Sequence, residues 1–125
     1  MRYERVKIQK DTNTIYNRAV PQWEIPILEF VFGEGNVVPL GVFEKAPRDY
    51  PEAQDEHQRL SLKYGIDKET KTDFVATVYG ASRIGIREIG KAIEVARQEE
   101  LSANRAKRAI QRTRRVVEMV DPLLN

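Results

Sequence analysis

The sequence predicts an α+β protein, a small β-rich N-terminal part of three or four short strands followed by a C-terminal bundle of three or four helices. Three observations carry this. Residues 3–9 alternate, with Val6 and Ile8 on one side and Arg5, Lys7 and Gln9 on the other, the period of a half-buried strand. Residues 46–51, Ala-Pro-Arg-Asp-Tyr-Pro, hold two prolines and few apolar groups, which is linker chemistry. Beyond them, apolar residues recur at three- and four-residue spacing, the helical period. The 125 residues are therefore expected as one domain, with a β-rich subregion 1–45, a linker 46–51 and a helical subregion 52–125.

Each element has a local reason. Asp11-Thr12-Asn13 supplies a turn, and Thr14-Ile15-Tyr16 can start a returning strand. Val20 to Gly33 is the most apolar stretch. Its β-branched and aromatic content favours a strand, while Pro21 or Pro26 in a first turn and Gly33 past an end suit a helix. Strand is the preferred reading, and Trp23, Ile27, Phe30 and Phe32 are expected in the core either way. Gly33 to Asn36 reads as a turn, and Val37 to Phe43 as a strand that Pro39 confines to an edge. Helices are expected at 51–64, about 70–79, about 83–98 and 102–120. The first has Pro51 at its start, Glu52, Asp55 and Glu56 early and Lys63 late, as the helix dipole prefers. Ser102 can cap the fourth, although one continuous helix from 83 onward is the competing reading. Asp121-Pro122 is expected to end it, with Leu123-Leu124 folding back on the core.

Composition narrows the function. An apolar fraction of 41% and a charged fraction of 32% fit an ordinary folded protein. No run of 18 apolar residues suggests a membrane span, and MRYERVKIQK lacks the apolar core of a secretory signal. Without cysteine there is no disulfide, thiolate metal site or thiol nucleophile. These features suit a cytoplasmic protein, or one carried in a virus particle if its role is assembly. The net charge of +2 hides a division, because residues 1–80 carry a net −2 and residues 81–125 a net +4. Between Leu101 and Val117 lie Arg105, Lys107, Arg108, Arg112, Arg114 and Arg115 with no acid. Such a run suits a polyanion, an acidic protein surface or simply water.

Catalytic signatures fail in turn. Gly80 to Arg87 has the glycine spacing of a phosphate loop, but Ile86-Arg87 stands where Lys-Ser/Thr is needed. Gly33-Glu34-Gly35 lacks the third glycine of a dinucleotide fingerprint. His57, the only histidine, lies beside Asp55 and Glu56 and reads as an exposed helix residue; a metal needs more ligands. The expectation is a non-enzyme with no catalytic residue, no metal and no cofactor.

The stretch Thr72 to Ala92 carries the most specific pattern. Val75, Ala76 and Tyr79 give one helix an apolar face, Gly80-Ala81-Ser82 a turn, and Ile86, Ile89 and Ile93 a second face. Gly80 tolerates a positive φ, and Ser82 can cap the following helix. This arrangement resembles the helix-turn-helix superfamily of DNA-binding proteins over about 20 residues. The likeness rests on a small residue in the first helix (Ala76), Gly in the turn (Gly80), Ser82-Arg83, and aliphatics four and seven residues after the serine (Ile86, Ile89). It implies that Arg83, Arg87 and Lys91, recurring every four residues, face a major groove or its phosphates. The same residues also read as a helical hairpin in which Gly85 and Gly90 allow close helix approach.

The C-terminal helix sets Ala103, Ala106, Ile110, Thr113, Val117 and Val120 in a narrow seam. Ala106, Ile110, Val117 and Val120 are the expected interface positions, within the chain or across a homo-oligomer. Together these features predict a small nucleic-acid-binding protein with a helix-turn-helix-like segment and a basic helix. Phosphate contacts are expected from the six basic residues between 105 and 115. The alternative is a structural or assembly protein, of the kind found among phage virion accessory proteins, and a lesser one an inhibitor of a host enzyme.

Overall fold

The computed structural model describes the backbone of residues 1–124 and the side chains of residues 1–116. Among the described residues it is α+β. Strands β1 (Arg2–Gln9), β2 (Ile15–Val20) and β3 (Val37–Lys45) form an antiparallel sheet in the order β2-β1-β3. Helices α1 (Ile25–Phe32), α2 (Ala53–Tyr64), α3 (Phe74–Tyr79) and α4 (Ser82–Leu124) complete it.

The alternation in β1 places Val6 and Ile8 inward, both fully buried, while Lys7 and Gln9 stay exposed. Val6 pairs with Arg18 on β2 and Pro39 on β3. Pro39 does lie on an edge strand, the place in a sheet where a residue without an N–H is tolerated. Between the pairs Glu4–Phe43 and Val6–Pro39 the register shifts, so that Leu40-Gly41-Val42 stands opposite the single residue Arg5. Gly41 takes a φ of +69° in this bulge.

Residues 25–32 are helical, which corrects the preferred strand reading of 20–33. Pro26 occupies the first turn, and the Gly33 N–H closes the last by donating to Glu29 O at 2.8 Å. The physical reason is that this segment serves two cores. Ile25 and Leu28 pack with Val6, Ile8, Val20 and Val37 against the sheet. Ile27, with Trp23, packs into a second cluster of Leu60, Val75, Ile89, Ile93 and Ala96. Residues spaced three apart face one core and their neighbour the other, an arrangement that helical periodicity permits. Trp23 and Ile27 are core residues as expected. Phe30 is 47% exposed, resting edge-on against Phe74, and Phe32 is only partly buried against the sheet cluster.

The linker expected at 46–51 is without regular structure and is held by Ala46 N–H to Met1 O at 3.0 Å and by Tyr50 against Trp23. α2 ends where its sequence implies, at Gly65 (φ +66°), whose N–H donates to Ser61 O at 2.9 Å. α3 starts at Phe74 rather than near 70, because the Asp73 carboxylate caps it, accepting from Ala76 N–H at 3.0 Å. α4 is one uninterrupted helix of 43 residues, roughly 65 Å long at a rise of about 1.5 Å per residue. The separate helices at 83–98 and 102–120 are therefore one. No Gly or Pro lies between 91 and 121, and extending an existing helix avoids a fresh nucleation. Nor does the backbone stop at Asp121-Pro122, since helix continues through Leu124. The packing of Val117, Val120 and Leu123-Leu124 lies outside the described side chains. Among the described residues, no helix is long and apolar enough to cross a membrane.

Candidate functional site

The α3–turn–α4 segment is built from the turn outward. Gly80 closes α3 at φ +107°, its N–H donating to Ala76 O at 2.9 Å. Ser82 itself takes a positive φ of 51° at the start of α4. Gly85 then lies so close to the turn that a Cβ there would sit 2.2 Å from Gly80 O and 3.3 Å from His57 Nε2. A Cβ at Gly90 would meet the Ala53 Cβ at 3.2 Å. Both glycines thus mark places where α4 passes against its neighbours, as the hairpin reading expects. His57 is half-buried at this crossing, so the expectation of an exposed histidine is corrected: α4 covers it. Among the described residues, no group of three His, Cys, Asp or Glu side chains could hold a metal ion.

Arg83, Arg87 and Lys91 share an exposed face of α4. Glu88 lies among them, 3.6 Å from Arg87 Nε and 3.3 Å from Lys91 Nζ. Ile84 on the same side is 56% exposed. The face that the likeness assigns to a major groove is therefore of mixed charge.

Further along α4 the environment changes. Ile89, Ile93 and Ala96 are buried against the body, and Lys45 Nζ reaches Asn104 Oδ1 at 3.2 Å. From Arg105 to Val116 every residue is exposed, so the body does not cover this part of the helix. Arg105, Arg108, Arg112 and Arg115, at spacings of three, four and three, form one ridge. Lys107 and Arg114, two turns apart, form a second. None of the six pairs with an acidic side chain among the described residues. Ala106 and Ile110, expected as interface positions, line an open groove of about 450 Å³ together with Phe43, Arg2 and Lys45. Val117 and Val120, expected beside them, lie outside the described side chains.

A polar centre that the sequence reading did not find lies where the start of α1 meets α2. Glu24 is fully buried. One carboxylate oxygen accepts from Arg59 Nη2 at 2.7 Å, and the other from Lys63 Nζ and Tyr64 Oη, each at 2.6 Å. Arg59 also holds Glu56, whose carboxylate accepts from its Nε at 2.7 Å. Burial pushes the Glu24 pKa up, but the bonds from Lys63, Tyr64 and Arg59 outweigh it and hold the carboxyl below its ordinary value. Burial and the Glu24 charge together push the Tyr64 hydroxyl well up. For Arg59, burial opposes the charge, yet Glu56 and Glu24 overcome it and raise the pKa. With its oxygens taken by three donors, Glu24 is placed to tie the start of α1 to α2, a structural task. Tyr79 makes a parallel tie, its hydroxyl donating to Trp23 O, and burial pushes its pKa up to about 12. The available signals were a carboxylate in an apolar run, one of two there with Glu29, and two cations four residues apart on α2.

Comparison with protein families, with curated proteins and with solved structures gives no match.

Proposed function

We propose that this chain is a nucleic-acid-binding protein whose contact surface is the projecting half of α4. The observation that carries the reading is the acid-free stretch from Arg105 to Arg115 with its six cations, exposed along its length and unpaired with any acid among the described residues. Cations left uncovered by the body on a rigid helix can follow a phosphate backbone and release its counterions. Arg105, Lys107, Arg108, Arg112, Arg114 and Arg115 take the phosphate role. Arg83, Arg87 and Lys91 take the subsidiary role of groove contacts at the helix-turn-helix-like segment.

The test is fluorescence anisotropy of a labelled mixed-sequence duplex titrated with the protein at 50 and 200 mM salt. Four phosphate contacts along the main ridge would weaken binding by about 100-fold across that interval. Arg112→Ala should weaken all sequences alike, whereas Arg83→Ala or Arg87→Ala should alter sequence preference. Absence of binding at 50 mM salt would refute the reading. A second reading, an assembly protein, is favoured by Ala103, Ala106, Ile110 and Thr113, which the described part of the chain leaves uncovered.

A further inference from the structure

We propose that the groove between β3 and α4 binds one unpaired nucleotide of a single-stranded nucleic acid with its base stacked on Phe43, an inference that rests on the nucleic-acid reading of α4. The pairing of β1 with β3 builds one wall of this groove. Arg2 stands opposite Lys45 and Glu4 opposite Phe43. Paired and alternate residues point to the same side of a sheet, so Arg2, Phe43 and Lys45 share one side. That side faces α4, where Lys45 meets Asn104 and Arg2 meets Glu99. Glu100, Ala103, Asn104, Lys107 and Ile110, at spacings of three, one, three and three, build the other wall from one side of α4. The space between the walls is about 450 Å³. Sites for small ligands run from about 300 to 1,000 Å³, so this one has room for a single base rather than a stacked run.

Ring and charge together select the occupant. The Arg2 guanidinium lies over the Phe43 ring, 4.0 Å from its centroid, yet the residue remains 43% exposed. A ring braced by a cation and still open to solvent is a stacking platform, and every base has a flat face to meet it. Arg2 is engaged by Glu99 at 3.8 Å and supports the ring. Lys45 donates to the neutral Asn104 amide at 3.2 Å, and neither Lys45 nor Lys107 pairs with an acid among the described residues. Arg114, two turns beyond Lys107 on the same side of α4, carries the positive edge outward. Glu100, the one acid in the lining, is half-buried with Oε1 wholly covered. Phe43, Ala103 and Ile110 thus form an apolar floor, with cations at its rim. A base can leave water on the floor while its flanking phosphates meet Lys45, Lys107 and Arg114. A duplex keeps its bases stacked on one another, so only an unpaired base can enter.

Fluorescence anisotropy at 50 mM salt tests this with four labelled probes of one length, about 12 nucleotides, within the span of a single-strand site. They are a mixed-sequence DNA strand, the RNA strand of the same sequence, the DNA duplex, and a tetrahydrofuran abasic strand that keeps the phosphates without bases. Charge alone favours the duplex, whose counterion release per phosphate is the larger, about 0.9 against about 0.7. Stacking of one base should instead make the DNA or the RNA strand bind about 5- to 150-fold tighter than the abasic strand. Whichever strand shows the gain identifies the sugar that the groove accepts. Phe43→Leu keeps an apolar side chain without a stacking face. It should erase most of that gain and leave duplex binding and circular dichroism unchanged, whereas Phe43→Tyr should retain the gain. Equal binding of the abasic strand and both base-carrying strands to the wild-type protein would overturn the proposal, as would a gain that survives Phe43→Leu. In either case, continued binding of the duplex would leave the phosphate reading of α4 standing. Failure of every probe to bind would refute that reading and this inference with it.

Discussion

Replacing Glu24 by Gln removes a charge on which three donors converge while keeping the shape of the side chain. Removing one member of a buried ion pair costs about 3–5 kcal/mol when the remaining charge stays buried. Here the cations are not trapped, since the side chains of Arg59 and Lys63 are 40% and 37% exposed and can turn to water, and Arg59 retains Glu56. Solvent screening therefore lowers the expected cost to about 2–3 kcal/mol. Urea denaturation followed by tryptophan fluorescence should show this as a lower midpoint with an unchanged slope, because the surface exposed on unfolding is the same. The pH dependence gives an independent reading. The folded-state pKa of Glu24 lies below its ordinary 4.5, so its contribution is present above that value and is lost as pH falls through the folded pKa. Wild type should lose stability on acidification below about pH 4.5 more steeply than Glu24→Gln does. A cost under about 1 kcal/mol, together with parallel acid profiles, would refute the role assigned to this centre.

Three further outcomes are expected. Gly85→Ala drives a Cβ onto the Gly80 carbonyl, so the turn must shift; overpacking of about 1–3 kcal/mol should lower Tm by roughly 5 °C or more in a thermal melt. Asp73→Ala removes the cap of α3 and should cost about 1 kcal/mol by urea midpoint, whereas Asp73→Asn should retain most of it. Leu60→Ala, in the fully buried middle of the helical cluster, should cost about 2–5 kcal/mol by the same measurement.

The parts of the fold that the sequence discloses are those whose signal is local. Alternation in β1, the edge position of Pro39, and the glycines that close α2 and α3 each depend on a few neighbouring residues, and each is found where expected. Residues 20–33 mislead because β-branched and aromatic content measures fit to a half-buried surface, whereas this segment is buried by two separate clusters. Phe30 misleads for the related reason that hydrophobicity alone does not assign a face: helix geometry turns it outward. The run from Arg105 to Arg115 is legible as charge, but its projection from the body follows from where α4 loses its packing partners, which is a long-range property. Glu24 was hidden because a buried carboxylate is recognised by its partners, and those lie 35 to 40 residues away.

The position of α1 between the sheet cluster and the helical cluster has a mechanical consequence. Melting either cluster strips one side of α1, and an eight-residue helix with a bare side cannot hold the other. The two halves on either side of the 46–51 linker are thereby obliged to unfold together, although their compositions differ and few regular elements join them. Amide hydrogen exchange should accordingly find the most protected sites of β1 and of the buried part of α4 opening with one common free energy, that of the whole molecule.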